Sequence, residues 1–197
     1  MAKLYFKYGA MGSSKSAQAL ITQFNYEELG MTVWLIKPSV DDRDGANIVK
    51  SRVGLSREAE VITPEDSIRA RYAATGGRDV IIADEAQFFT PGQIDELRDI
   101  VDELDVPVLC FGLRTDFLTH MFPGSMRLME LADSITEIKT VCACGSKATV
   151  NARVTPDGRI VTEGEQVFLG GNDAYVAMCH RCWKKKISEQ GTARMKK

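Results

Sequence analysis

The sequence predicts an α/β fold, a parallel sheet with helices on both faces, followed by a small β unit near the carboxyl end. Over roughly the first 140 residues, short continuous apolar runs alternate with helical patterns, as expected for parallel strands covered on both faces. A glycine-rich loop lies between the first apolar run and the first helical pattern. After that region, two cysteine pairs bracket a stretch of β-branched residues and turn formers.

The strands and helices of the first part follow in alternating order. Strands are predicted over residues 4–6, 32–36, 80–83 and 107–111. A helix is predicted over residues 15–29, because apolar side chains recur there at helical spacing up to Gly30, which suits the position after a helix end. Two further helices are predicted to begin at Thr63 and Thr90, since a proline follows each threonine. Functional loops are expected where the carboxyl ends of the strands meet.

The rest of the chain is predicted to form a smaller unit and a tail. The proposed boundaries are residues 1–140 for the α/β domain, 141–183 for a β domain and 184–197 for the tail. A β-hairpin is predicted inside the second unit, with the Thr-Pro-Asp-Gly run at residues 155–158 as its turn. The tail carries six basic residues against one glutamate and is expected to be solvated and disordered, with a nucleic-acid-binding arm as the alternative.

Composition excludes several classes of protein. With 197 residues, 44% hydrophobic and 26% charged, the chain can bury a core and is too apolar to be disordered throughout. No apolar run approaches the ~18–20 residues of a membrane span. The net charge of −2 gives no global attraction to nucleic acid or to anionic membranes. Because the amino terminus shows no signal peptide, the five cysteines are expected in a reducing compartment, where clustered thiols indicate metal binding.

The glycine-rich loop follows most of the phosphate-binding loop pattern. It consists of Gly9, Ala10, Met11, Gly12, Ser13, Ser14, Lys15 and Ser16. The pattern requires a second glycine directly before the lysine, and Ser14 stands there instead. Backbone N–H groups at a helix start can still surround an anion, with Lys15 reaching the phosphates of a nucleotide and Ser16 offering a hydroxyl to Mg²⁺. The alternative is a glycine-rich turn before an ordinary helix.

An acidic pair follows the strand predicted over residues 80–83. Asp84 fits the strand-end acid that holds Mg²⁺ in nucleotide-binding proteins, and Glu85 can accept the proton of an attacking hydroxyl. Alone, such a pair could simply end a strand in solvent. Together with the loop at residues 9–16, it predicts one phosphate site. The predicted fold class is therefore a P-loop NTPase-like parallel sheet.

Four of the five cysteines predict a structural zinc site in a zinc-ribbon-like unit. The ligands are Cys142, Cys144, Cys179 and Cys182. Four thiolates suit tetrahedral Zn²⁺ and leave no open position for catalysis. Redox use of the second pair is the alternative, although the setting expected for a thioredoxin-like motif is missing. Cys110, in an apolar strand, is predicted to be a small core side chain.

Two further segments complete an ordered set of motifs. Together with residues 9–16, residues 84–89 and the cysteine pairs, the segments at residues 112–117 and 170–175 resemble the type II thymidine kinases, the cytosolic, tetrameric class. The resemblance runs from about residue 3 to residue 183 with the motifs in the same order.

The resemblance implies transfer of the γ-phosphoryl group of ATP to the 5′-hydroxyl of thymidine, giving dTMP and ADP in nucleoside salvage. It implies Glu85 as the general base, with Lys15, Ser16, Asp84 and Arg43 around the phosphates and Mg²⁺. The residues implied to contact the nucleoside are Met11, Gln87, Phe88, Leu113, Phe117, Phe122 and Tyr175. It also implies structural Zn²⁺, a loop that closes over the nucleoside, a homotetramer, feedback inhibition by dTTP and a cytoplasmic location. Neither nucleic acid nor a membrane is expected as a partner, because of the net charge of −2 and the lack of a long apolar run.

Two other functions compete with this interpretation. One is a P-loop ATPase or GTPase that hydrolyses its nucleotide, although the Asn-Lys-x-Asp run of guanine-binding proteins is missing. The other is a zinc-ribbon module that binds nucleic acid through the basic tail, which leaves the phosphate-binding loop and the acidic pair unexplained. The use of ATP with and without thymidine distinguishes these functions.

Overall fold

The computed structural model describes residues 1–41, 45, 47–167 and 174–194, and side chains up to residue 191. Its centre is a six-stranded sheet in which all neighbouring strands are parallel. In spatial order the strands are β5 (Glu60–Ile62), β2 (Val33–Pro38), β6 (Val80–Ala83), β7 (Val108–Gly112), β1 (Leu4–Tyr8) and β8 (Ser134–Glu137). The four strands predicted from apolar runs are confirmed. β5 and β8 are short edge strands, which carry no continuous apolar run.

The remaining elements lie on the faces of the sheet and beyond its edge. The helices are α1 (Lys15–Glu28), α2 (Ile68–Ala74), α3 (Pro91–Leu104), α4 (Pro123–Leu131) and α5 (His180–Arg194), with a 3₁₀ turn at Ala86–Phe88. The strands outside the main sheet are β3 (Ile48–Lys50), β4 (Ser56–Glu58), β9 (Val150–Arg153) and β10 (Tyr175–Met178). In the part of the chain that the structure describes, no helix is both long enough and apolar enough to cross a membrane.

Helices cover both faces of the sheet, as the sequence predicts. Alternate residues of a strand point to opposite faces, and β6 shows the division. Val80 and Ile82 pack with Leu20 of α1 in one apolar cluster. Ile81 and Ala83 pack with residues of α2, α3 and α4 in another. Both faces of β6 are therefore buried, which explains why its sequence is continuously apolar.

Two of the predicted helix ends are confirmed. α3 starts directly after Thr90, whose Oγ1 accepts a hydrogen bond from the backbone N–H of Gln93 at 3.2 Å. The Gln93 side chain accepts one from the backbone N–H of Thr90 at 3.1 Å, which completes a capping box. The second confirmed end is that of α1, which finishes just before Gly30, and the φ of +77° at Gly30 suits glycine.

The helix predicted from Thr63 begins later than expected, at Ile68. The backbone N–H of Thr63 donates to the Asp66 carboxylate at 2.8 Å, so the residues between them form a turn. Ser67 then caps α2, because its Oγ accepts a hydrogen bond from the backbone N–H of Ala70 at 3.1 Å. A second cap downstream of the first therefore decides where the helix starts.

β3 and β4 form an antiparallel hairpin above the sheet. Val49 anchors the hairpin in the α1 cluster, where it is 3% exposed. The buried ammonium of Lys37 donates to the carbonyl oxygen of Ile48 at 2.9 Å and forms an ion pair with Asp41 at 3.3 Å. These contacts fix β3 in place, and the tip of the hairpin beyond it lies beside the phosphate-binding loop and the carboxyl ends of the strands.

The strand pairing near the carboxyl end differs from the prediction. The run at residues 155–158 does form a tight turn, with a single antiparallel bridge between Val154 and Ile160. The extended partner of β9, however, is β10, which pairs along its whole length from Tyr175 to Met178. β9 and β10 pack around a third apolar cluster that includes Cys142 and Cys179. Burial against this cluster, rather than the local turn, selects the partner strand.

The predicted disordered tail is helical as far as the structure describes it. α5 continues from His180 to Arg194, so residues 184–194 form a helix. Two contacts explain why: Ile187 packs against the third cluster, and Gln190 bonds the backbone of Ile160 through both its oxygen and its nitrogen. The final three residues lie outside the described range.

Candidate active site

A cavity of about 520 Å³ opens at the carboxyl edge of the sheet. Its walls come from the loop after β1, the segments after β6 and β7, the tip of the β3–β4 hairpin, and β9 with β10. The predicted residues that line it are Met11, Gly12, Ser14, Lys15, Ser16, Asp84, Glu85, Gln87, Phe88, Leu113, Phe117, Phe122 and Tyr175. Gly9, Ala10 and Ser13 belong to the same loop without lining the cavity, and Arg43 lies outside the described residues.

The phosphate-binding loop turns sharply between β1 and α1. A Cβ atom on Gly9 would lie 2.4 Å from the carbonyl oxygen of Ile138, so this position requires glycine. Gly12 has a φ of +75° and Ser14 a φ of +62°. Ser14 therefore adopts the left-handed conformation that the missing glycine would adopt easily, at a strain of about 1–3 kcal/mol.

Lys15 lies across this loop. Its side chain is buried, and its Nζ donates to the carbonyl oxygen of Ala10 at 3.0 Å and to Ser13 Oγ at 3.4 Å. The ammonium is thus held beside the backbone N–H groups of the helix start. This arrangement concentrates positive charge where an anion at the α1 terminus would bind.

Asp84 and Ser16 place two oxygen donors next to the loop. Asp84 is 4% exposed, and the Ser16 hydroxyl donates a hydrogen bond to its carboxylate. Burial and the neighbouring charge of Glu85 raise the pKa of Asp84 to about 7, against the opposing effects of the Ser16 hydrogen bond and the Lys15 charge. A buried carboxylate beside a hydroxyl suits a hard cation such as Mg²⁺, which binds through oxygen.

Gln87 holds Glu85 in place. The backbone of Glu85 is in the left-handed conformation, with φ 50° and ψ 37°, and the chain therefore turns sharply after β6. Its Oε2 accepts a hydrogen bond from Gln87 Nε2 at 2.5 Å, while Gln87 Oε1 accepts one from the backbone N–H of Leu113 at 2.9 Å. A Cβ on Gly112 would lie only 2.6 Å from Gln87 Oε1. The glycine that ends β7 therefore allows Gln87 to connect Glu85 to the next segment.

Aromatic side chains form another wall of the cavity. The rings of Phe88 and Phe122 meet edge to face at 5.5 Å. Phe117 is 1% exposed, and the guanidinium of Arg153 lies 3.8 Å from the centre of its ring. Arg153 Nε also donates to the hydroxyl of Tyr175 at 3.1 Å. The wall is flat, apolar and buttressed by a buried cation, which suits a planar heterocycle.

Asn151 is a site residue that sequence reasoning missed. Its Oδ1 accepts a hydrogen bond from the backbone N–H of Met11 at 2.8 Å, and its Nδ2 donates to the carbonyl oxygen of Thr115 at 2.7 Å. A single asparagine between Val150 and Ala152 carries no functional signal in the sequence. Only the tertiary structure brings it to the phosphate-binding loop.

Arg52, at the tip of the β3–β4 hairpin, is a second such residue. It lines the cavity, and its Nη1 lies 3.8 Å from the point where a Cβ on Gly12 would be. Nothing around it in the sequence forms a recognised motif. The hairpin therefore adds a cation above the phosphate-binding loop.

The four cysteines predicted to bind metal come together at one point. The sulfur atoms of Cys142, Cys144, Cys179 and Cys182 all lie within 4.8 Å of one another. None of them forms a disulfide. Hydrogen bonds from the side chain and backbone of Ser146 lower the pKa of Cys144 to about 6, which favours the thiolate. Four sulfur donors in this arrangement fit structural Zn²⁺. The short C-x-C spacing is accommodated by a turn in which Gly145 has a φ of +85°.

Comparison with known proteins agrees with this geometry. A protein-family model described as Thymidine kinase matches residues 2–183. The chain is 44% identical over 195 residues to a thymidine kinase of Ruegeria pomeroyi, an alignment that covers 97% of this chain and 98% of the relative. It is 45% identical over 191 residues to one of Yersinia pseudotuberculosis, covering 95% and 97% of the two chains. A Salmonella paratyphi A thymidine kinase is 43% identical over 192 residues, covering 96% and 94%. The chain belongs to the thymidine kinase family.

Proposed function

We propose that the chain phosphorylates thymidine with ATP as the donor, moving the γ-phosphoryl group to the 5′-hydroxyl and releasing dTMP and ADP. Membership of the family supports thymidine as the acceptor. The observation that carries the rest is that the phosphate-binding loop, the acidic pair and the aromatic wall share one cavity. Phosphoryl transfer requires this juxtaposition, because donor and acceptor must bind side by side.

The donor end of the cavity is the loop at the start of α1. Its N–H groups and Lys15 bind the phosphates, while Asp84 and Ser16 would hold Mg²⁺. The cation, when bound, neutralises charge on the triphosphate. Arg52 adds positive charge from the hairpin above. Charge neutralisation and positioning are what this reaction chiefly needs from a protein.

Glu85 is the proposed general base. It lines the same cavity as the phosphate-binding loop and the aromatic wall, and the Gln87 amide donates a hydrogen bond to its carboxylate. A carboxylate at that point accepts the proton of the 5′-hydroxyl as the hydroxyl attacks the γ-phosphorus. The resemblance implies that Gln87 contacts the substrate. The Gln87 amide also bonds Glu85 and the backbone N–H of Leu113, so orienting Glu85 is part of its proposed role.

The acceptor end is the aromatic wall. Phe88, Phe117 and Phe122 offer flat apolar surface for a pyrimidine ring, with Leu113 and Met11 beside them. A methylated, uncharged base is matched by apolar contacts of this kind. Residues 168–173, part of the segment expected to close over the nucleoside, lie outside the described residues.

The cysteine cluster supports a structural rather than a catalytic metal. Residues 141–183 form the proposed second domain, and the Zn²⁺ would hold the third cluster together where apolar burial is small. The homotetramer, the feedback inhibition by dTTP and the cytoplasmic location stay predictions from the family resemblance.

A radiolabelled phosphate assay tests the proposal. Purified protein is incubated with γ-labelled ATP, Mg²⁺ and a panel of nucleosides, and the label is followed into nucleoside monophosphate and free phosphate. We expect label on thymidine and little free phosphate without nucleoside. Release of free phosphate at the same rate with and without thymidine would instead support an ATPase. Binding to nucleic acid without any transfer would support the zinc-ribbon alternative.

A further inference from the structure

β9 presents two buried polar side chains to the walls of the active-site cavity. Successive residues of a strand point to opposite sides. Val150 and Ala152 lie in the third apolar cluster with the cysteines. Asn151 and Arg153 point the other way and are only 3% and 7% exposed. Buried polar groups need partners, and those of Asn151 and Arg153 lie around the cavity.

Asn151 joins two segments that are distant in the sequence. The Met11 N–H that bonds Asn151 Oδ1 belongs to the phosphate-binding loop, 140 positions earlier in the chain. The Thr115 carbonyl that bonds Asn151 Nδ2 belongs to the segment after β7. Both hydrogen bonds are short, at 2.8 and 2.7 Å, and the second is buried. One amide therefore supplies both the acceptor and the donor that connect these segments.

We propose that Asn151 is a positioning residue for the nucleotide donor. By accepting the Met11 N–H, it sets the first bend of the phosphate-binding loop, so that the N–H groups further along are aimed at the phosphates before the nucleotide arrives. Preorganised donors bind more tightly because less ordering is required on binding. This inference rests on the proposed function in one respect, the use of a nucleoside triphosphate at this loop.

Arg153 contacts a different part of the cavity and supplies the contrast. Its guanidinium stacks on Phe117 and donates to Tyr175 Oη and to the carbonyl oxygen of Glu165 at 3.0 Å. Of these partners, Phe117 and Tyr175 line the cavity and belong to the set proposed to contact the nucleoside. Asn151 and Arg153 lie two residues apart on the same face of β9 and thus act on different substrates. Asn151 acts on the nucleotide donor and Arg153 on the nucleoside.

The first experiment compares Asn151→Leu with Gln93→Leu. Gln93 is also a buried amide, 4% exposed, which bonds the carbonyl oxygens of Thr63 and Asp66 away from the cavity. Each variant is titrated with Mg·ADP in the absence of nucleoside, by calorimetry. We expect the dissociation constant to rise about tenfold in Asn151→Leu, because the loop loses its acceptor, and to stay at the wild-type value in Gln93→Leu. Wild-type ADP affinity in a folded Asn151→Leu protein would overturn the proposal.

The second experiment separates positioning from general damage. Arg153→Met is expected to raise the KM for thymidine about tenfold and to leave the ADP dissociation constant unchanged. Asn151→Leu is expected to raise the ADP dissociation constant and to leave the KM for thymidine unchanged. Equal effects of both variants on both substrates would mean that β9 only stabilises the fold, and the proposal would fail. If Asn151→Leu does not fold, Asn151→Ala replaces it: the smaller side chain also removes the acceptor of the Met11 N–H, so the same weakening of ADP binding is expected. Wild-type ADP affinity in a folded Asn151→Ala protein would overturn the proposal.

Amide exchange gives a readout that needs no catalysis. In the ligand-free protein, deuterium uptake at the Met11 amide should be at least about tenfold faster in Asn151→Leu than in wild type and unchanged in Gln93→Leu. Unchanged uptake at Met11 would contradict the proposal. A wild-type protein that binds Mg·ADP but transfers no phosphate to thymidine would refute the proposed function while leaving this test intact.

Discussion

Replacing the buried acid beside the phosphate-binding loop should stabilise the ligand-free protein. Asp84 is 4% exposed and has a pKa raised to about 7, chiefly by burial and then by the charge of Glu85. In the unfolded chain the same carboxyl titrates near 3.8. Because the folded state binds this proton more tightly, the wild-type protein loses stability as the pH rises from about 4 to about 7. Asp84→Asn removes the ionisation and hence this loss.

The size of the effect follows from the two pKa values. Each unit of difference is worth about 1.4 kcal/mol, so a shift of about three units corresponds to ~4 kcal/mol once the pH exceeds both values. Between pH 5 and pH 8, the ionisation of Asp84 should lower the free energy of unfolding of the wild-type protein by about 3 kcal/mol. The free energy of unfolding of Asp84→Asn, minus that of wild type, should therefore rise by about 3 kcal/mol across this range.

Urea unfolding without Mg²⁺ or nucleotide, at several pH values, measures this difference. Asp79→Asn is the matched control. Hydrogen bonds from the backbone N–H and the hydroxyl of Thr32 lower the pKa of Asp79, so its stabilisation is already complete at pH 5 and its difference from wild type should be flat to pH 8. A flat or falling difference for Asp84→Asn would refute the reasoning. The same variant should lose activity, since an amide is a weaker ligand for Mg²⁺ than a carboxylate.

Three other perturbations test separate parts of the site. Glu85→Gln should lower kcat by ~10²–10⁴-fold with little change in ADP affinity, because it removes the base and keeps the phosphate-binding loop; wild-type turnover would exclude Glu85 as the base. Ser14→Gly should stabilise the protein by about 1–2 kcal/mol in urea unfolding, because glycine adopts φ +62° without the cost that a Cβ imposes, whereas Ser14→Val should be less stable than wild type because a branched side chain fits poorly there; equal stability of the two variants would show that this backbone strain is absent. The purified protein should carry about one zinc ion per chain by metal analysis. Cys182→Ser should reduce the zinc content and the melting temperature, whereas the control Cys110→Ala should keep the zinc. A wild-type protein without zinc would refute the structural-metal proposal.

The parts of the fold that follow from short-range patterns were predictable. β6 and β7 are buried at every position, and neither contains a polar side chain. β1 and β2 begin with apolar runs and include a lysine only near their carboxyl ends, at Lys7 and Lys37. The capping box at Thr90 depends on residues three positions apart, which the sequence shows directly. At Thr63 the same reasoning fails, because the side chain of Asp66 closes a turn and Ser67 provides a better cap.

The candidate site divides in the same way. The phosphate-binding loop, the acidic pair and the cysteine pairs are local motifs whose spacing indicates their chemistry, and the structure brings the first two to one cavity. The partners of Gln87 could not be predicted, since its amide was available in principle for substrate. Arg52 reaches the cavity because distant residues hold the hairpin in place, through Val49 in the α1 cluster and the Lys37 hydrogen bond to Ile48.

By itself, the sequence determined the alternation of strands and helices, the loop that binds phosphate and the four thiols that can share a metal. These features depend on burial periodicity, backbone conformation and ligand chemistry within a few residues. The tertiary structure alone decided that β9 pairs with β10 instead of across the nearest turn, and that Asn151 bonds Met11. Both depend on which distant surfaces are buried together, and the free energy of that burial is not encoded in any single stretch of the chain.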